Sequence, residues 1–305
     1  MSYDLYFYKR KTSKLTGQEL ASYLTKNLPF IKDKHPRQWV YENPQTGVYF
    51  WIDWEDLDAL KSDPNLPAID IEPLPEYDGF DNLNFTFGIN FCRPQFFGLE
   101  TFPVIQKIVD DNDLWVQNPQ DEDGVDDPKK FSPGYLFNQW AQSNDKIAIQ
   151  QFTDFNLEYF PPEKSNYLWR FMYDRERIQN SFQDDVFVVP YYLVKNKTDQ
   201  KVYSACLWTQ HIPIVAPPAD YFIIQKKIKT LFKTKEETGL IKSETIMEKF
   251  GSFFEPFGNE IPGLKIIRQS NSDAIAKEFN KLELIPLTDF GAGISFDKVV
   301  NVCPE

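Results

Sequence analysis

Leu83-Asn84-Phe85-Thr86-Phe87-Gly88-Ile89-Asn90-Phe91 is the stretch whose reading decides the fold. Its apolar residues recur at two-residue spacing, which places Leu83, Phe85, Phe87, Ile89 and Phe91 on one face of a β-strand. A polar link, Cys92-Arg93-Pro94-Gln95, leads to Phe96-Phe97-Gly98-Leu99. Phe102, Ile105, Ile108 and Val109 then follow at helical spacing, so a helix lays an apolar stripe on a neighbour. Leu114-Trp115-Val116 reads as a short closing strand. Strand, helix and strand in this order form a core and carry no chemistry of their own.

Upstream, Tyr3, Leu5 and Phe7 alternate with polar residues and predict a first strand ending in the solvated run Lys9-Arg10-Lys11. Thr16-Gly17-Gln18-Glu19 has capping-box spacing and opens a helix with the apolar face Leu20, Tyr23, Leu24 and Leu28, stopped by Pro29. Trp39-Val40-Tyr41 and Val48 to Trp54 flank the turn-rich Asn43 to Gly47, which predicts a hairpin. Glu55 to Asp81 is rich in proline and acids and reads as a surface loop. The predicted fold class is α+β, a mostly antiparallel sheet with packed helices.

Asn118 to Pro133 is a second break, which suggests an acidic α+β half over 1–130 and a second α+β half over 131–305, with packing of the two as one unit left open. In the second half, Tyr135 to Trp140 reads as helix, and Leu157 to Phe160 and Tyr167-Leu168-Trp169-Arg170-Phe171 as strands. Val186 to Val194 and Lys201 to Trp208 flank Asn196 to Gln200 as a hairpin. Tyr221 to Ile224 is a buried-type strand, and Gly239-Leu240 precedes a helix with the face Ile246, Met247, Phe250 and Phe254. Hairpin, strand, Gly-Leu and helix thus occur in the same order twice, so two related halves are an expectation.

The chain has 305 residues and a net charge of −12. Residues 1–150 hold 14 Lys and Arg against 24 Asp and Glu, a net −10, which disfavours nucleic acid as a partner and permits a basic one, against the plainer reading that an acidic surface keeps the protein soluble. No apolar run is long enough to span a membrane and no secretory leader is evident, so no membrane role is expected. Three scattered cysteines, Cys92, Cys206 and Cys303, do not make a disulfide framework and fit a cytoplasmic location.

Candidate chemistry is sparse. With His35 and His211 as the two histidines and no C-x-x-C or H-E-x-x-H, neither a metal nor a cofactor is expected. His35 sits in what reads as an exposed loop. Cys206 and His211 lie at odd spacing, on opposite faces if on one strand, so a dyad is disfavoured. Asp53 and Glu55 share strand phase and could hold Mg²⁺ or act as acid and base in a metal-dependent hydrolase, against the plainer reading of a solvated strand edge. The basic run Lys226, Lys227, Lys229, Lys233, Lys235 reads as a solvated face before it reads as a phosphate site.

Four stretches carry a resemblance: Ser2 to Tyr8, Thr46 to Phe50, Arg93 to Glu100, and His211 to Val215. Together they make the chain similar to cytosolic bacterial proteins of a kind that includes immunity partners of secreted polymorphic toxins. That resemblance implies a non-enzymatic binding protein whose partner is a toxin domain, with no catalytic residues to carry over; a structural or regulatory protein without a toxin partner is the other non-enzymatic possibility. The acidic loops supply the candidate partner-binding residues: Trp54, Glu55, Asp56, Asp58, Tyr77, Asp78 and Phe80 in one, and Asp121, Asp123, Asp126 and Asp127 in the other.

Overall fold

The computed structural model describes the chain except residues 30, 36, 56–75, 122–126, 183–185, 230–233, 259 and 305, and the side chains of 32–35, 228, 229 and 234. It is α+β, with mostly antiparallel sheets packed against helices, and it divides into two compact units, Met1–Gln151 and Phe152–Glu305.

The first unit holds β1 (Ser2–Arg10), α1 (Gly17–Asn27), β2 (Ile31–His35), β3 (Gln38–Glu42), β4 (Tyr49–Trp54), β5 (Phe80–Asn90), α2 (Phe96–Asp111), β6 (Trp115–Gln117) and α3 (Pro133–Gln151). Its sheet runs β2-β3-β4-β5-β1-β6, antiparallel throughout. The alternation of β5 does its work here: Phe85, Phe87 and Ile89 are fully buried, opposite Phe7, Leu5 and Tyr3 of β1. Phe102 of α2 is the hub above them, with its ring 6.2 Å from Phe87, 6.3 Å from Tyr3 and 6.3 Å from Trp140 of α3. The Thr16–Glu19 capping box forms, with reciprocal bonds of 3.2 and 2.9 Å.

Several expectations change. β5 begins at Phe80, and its register with β1 shifts between Phe7 and Tyr8, where Asn84 takes a left-handed φ of 58° that asparagine tolerates. Gly98-Leu99 lies inside α2, not before it; a Cβ at Gly98 would come within 2.6 Å of the Trp140 ring, so glycine lets α3 pack close. His35 belongs to β2, paired with Gln38, and not to a loop. The helix read at Tyr135–Trp140 extends to Gln151 and packs on α2 through Trp140, so it joins the first unit and the division falls at 151/152, not 130/131.

The second unit opens with β7 (Glu158–Tyr159), α4 (Pro162–Asn180), β8 (Phe187–Val188), β9 (Tyr191–Asn196), β10 (Val202–Thr209) and β11 (Ile214–Ala216). It continues with β12 (Tyr221–Lys229), β13 (Thr234–Lys242), α5 (Ser243–Phe250), β14 (Glu255–Pro256), β15 (Lys265–Ile267) and α6 (Gln269–Phe279). Its last elements are β16 (Ile285–Pro286), α7 (Leu287–Phe290), β17 (Gly291–Ile294) and β18 (Val299–Val300). A six-stranded sheet runs β16-β13-β12-β10-β9-β17, beside a four-stranded sheet β14-β15-β11-β8 and the pair β18-β7. Trp208 centres one core, with Phe279, Phe254, Phe222 and Phe250 rings 4.9 to 6.2 Å away.

Tyr167 to Phe171 lies in α4 and not in a strand. Pro162 starts the helix, and Leu168, Phe171, Met172 and Ile178 bury one helical stripe. The two units do not share a strand order. β4 and β5 pair antiparallel, whereas β10 and β12 pair in parallel, and Gly239-Leu240 is part of β13. Lys226 is buried, not solvated: its ammonium donates to the carbonyls of Asn280 and Leu282 at the end of α6.

Candidate functional site

The register of the first sheet sorts its side chains into two faces. Tyr3, Leu5, Phe50, Ile52, Phe85 and Phe87 take the core side. The opposite side carries Asp4 and Tyr6 of β1, Tyr49, Trp51 and Asp53 of β4, and Thr86, Gly88 and Asn90 of β5. Apart from Gly88, all of these are half-exposed. Gly88 is buried beneath Trp51: a Cβ there would stand 2.4 Å from the indole, so the ring lies flat on the β5 backbone.

Carboxylates surround Tyr6. Asp53 accepts from Gln38 Nε2 at 2.7 Å, which fixes its orientation on the edge side of the sheet. Asp4 accepts from Ser2 Oγ at 3.2 Å, and its N–H, beyond the end of β6, donates to Gln120 Oε1 at 3.1 Å. Burial, with the neighbouring Asp53 charge added, holds the Asp4 carboxyl above the ordinary carboxylate range. Burial first, then the charges of Asp4 and Glu55, push the Tyr6 phenol up. Arg93 borders the face: it donates to the Tyr49 hydroxyl at 2.5 Å and lies 5.5 Å from its ring centroid.

The expected partner-binding residues fall in three places. Trp54 stacks on Phe85 at 5.3 Å on the core side, and exposed Glu55 follows it, its N–H bonded to Asn84 O at the bulge. Tyr77 and Phe80 are buried, in a small cluster with Tyr8 where Arg10 lies over Phe80 and Trp115; exposed Asp78 is beside them. Asp121 accepts from Gln139 Nε2 at 2.9 Å and from Tyr135, and Asp127 is exposed. Asp56, Asp58, Asp123 and Asp126 lie outside the described residues. Among the described members of the set, Glu55 is one whose charge acts on Tyr6 of this face.

Asp53 and Glu55 come to the same sheet end, but among the described residues no three His, Cys, Asp or Glu side chains converge closely enough to hold a metal ion. Cys206 is fully buried in β10, and burial pushes its thiol up and out of nucleophilic range. His211 lies in the following turn, with its ring against Phe279. No described helix is long and apolar enough to cross a membrane.

Asp4, Tyr6 and Trp51 are the residues sequence reasoning passes over. Their signal is present as the off-phase positions of β1 and β4, the residues between the core ones. No family model, curated protein or solved structure matches this chain.

Proposed function

We propose that the protein is a non-enzymatic binding protein, and specifically an immunity protein that neutralises a bacterial toxin in the cytoplasm. The observation that carries the reading is the second face of the first sheet, where Tyr6, Tyr49 and Trp51 stand half-exposed among Asp4, Asp53 and Glu55. Tyr, Trp and Arg are the residues on which binding energy concentrates. Strands hold them rigidly, so little order is lost on association. The carboxylates, in a half of the chain with a net −10, suit a basic partner by long-range steering. Toxins that act on nucleic acid or on membranes are often of that charge, because their targets are anionic. Three free cysteines accord with a reducing compartment.

The test is growth rescue. A toxin encoded beside this gene is expressed alone, with the wild-type protein, or with a Trp51→Ala, Asp53→Asn variant whose unfolding midpoint is checked separately. The wild type is expected to restore growth and the folded variant to fail. Failure of the wild type against the toxins of its own locus would overturn the immunity reading; equal rescue by the variant would move the interface off this face.

A further inference from the structure

In the second unit a cleft of about 680 Å³ opens between the start of α4 and the β9–β10 hairpin. That is within the range of small-ligand sites and well beyond what one inorganic ion fills. Its lining carries three lysines, Lys164, Lys195 and Lys201, against one carboxylate, Glu158. Three ammoniums thus gather at one cleft, each with a carboxylate close by: Glu158 for Lys195, Asp220 for Lys164 and Asp199 for Lys201. Lys195 is held by Glu158 at 2.5 Å and Lys164 by Asp220 at 2.7 Å, so both ammoniums are fixed while keeping further N–H donors.

The acids around the cleft keep their charge but are turned onto protein donors, which leaves N–H groups of the lysines to face the opening. Asp220 accepts from both the N–H and the Oγ of Ser204, each at 2.9 Å, and Asp199 from Tyr203 at 2.7 Å and from the Lys201 N–H at 3.0 Å. Those bonds lower the Asp199 carboxyl and raise the Tyr203 phenol to about 12. Tyr203 therefore presents a neutral, anchored ring. Tyr159, 41% exposed, offers a second ring at the same cleft, and Asn156 and Gln200 add amide donors and acceptors. α4 begins here without a side-chain cap, and Glu163 in its first turn offsets part of its positive end.

We propose that this cleft binds a small organic anion of mononucleotide size, its phosphate among Lys164, Lys195 and Lys201 and its flat ring against Tyr159 and Tyr203. The proposal is independent of the immunity reading, since it concerns the other unit and other residues.

The experiment is calorimetric titration of the full chain with AMP, adenosine and inorganic phosphate, on wild type and on Lys201→Glu. Lys201 is exposed and in a turn-flanking position, so the charge reversal spares the core. AMP is expected to bind with a dissociation constant below about 1 mM, and Lys201→Glu to weaken it about tenfold or more. Adenosine and phosphate are each expected to bind at least about tenfold more weakly than AMP. No saturable AMP binding, an affinity unchanged in Lys201→Glu, or either fragment binding as tightly as AMP would overturn the proposal.

Discussion

Asn144 grips Arg93 by both of its main-chain polar groups: the Arg93 N–H donates to Asn144 Oδ1 at 3.0 Å, and Asn144 Nδ2 donates to the Arg93 carbonyl at 2.9 Å. The amide side chain of α3 thereby acts as a short strand partner for the link between β5 and α2, next to Cys92 with its left-handed φ of 59°. Asn144 is fully buried, so truncation removes both bonds to the link and leaves a void in their place. Asn144→Ala is expected to cost about 2–4 kcal/mol, read as a shift of the urea midpoint. A change of a few tenths would mean that the link is held by other contacts.

Lys226 makes the corresponding closure in the second unit. Lys226, 3% exposed, ties β12 through its ammonium to the carbonyls that end α6, while Glu237 stands 3.7 Å away and is one-third exposed. The carbonyl bonds should therefore outweigh the ion pair. Lys226→Met is expected to destabilise by about 2–4 kcal/mol, and Glu237→Gln by no more than about 1 kcal/mol. Chemical denaturation of the two variants checks the order.

Phe87 meets Phe50 at 5.6 Å and Phe102 at 6.2 Å, and it is fully buried in β5. Phe87→Ala is expected to cost about 3–5 kcal/mol, from lost transfer energy and the cavity left behind. An unchanged unfolding midpoint would contradict the central place of β5 in this core.

The central strand and the first helix were legible because their signals are local. Phe85, Phe87 and Ile89 fix a face by period alone, and Thr16 and Glu19 close a box within one turn. Tyr167-Leu168-Trp169-Arg170-Phe171 misleads because its bulky rings suit a strand, whereas the helix is set by Pro162 and by a stripe running on to Ile178. The burial of Lys226 depends on where α6 ends, which is tertiary. Asp4 and Trp51 are each readable as off-phase positions, but that they share one surface follows from β1 and β4 flanking β5, and no spacing along the chain contains that fact. The residues drawn from loop composition fare differently: Tyr77 and Phe80 are aromatic because they cover Tyr8 and Trp115.

Asp4 allows stability and recognition to be separated. Its folded carboxyl lies above the ordinary range because burial, with Asp53 nearby, disfavours the charge. The native state then binds the proton more tightly than the unfolded chain, so stability falls as pH rises from the unfolded pKa through the folded one. At neutral pH the ionised Asp4 is a net cost. Asp4→Asn is expected to be more stable than wild type at pH 7, with the gap closing as pH drops below the ordinary carboxylate range. A residue kept at such a cost fits a surface shaped for binding rather than for stability. If the proposed partner is basic, the same substitution is expected to slow association at low salt by several-fold and to leave the rate at high salt almost unchanged, because screening removes the steering. Denaturation against pH and stopped-flow association against ionic strength are the two measurements. A variant less stable than wild type at pH 7 would contradict a destabilising Asp4 charge, and an association rate equal to wild type at every salt concentration would remove Asp4 from the recognition surface.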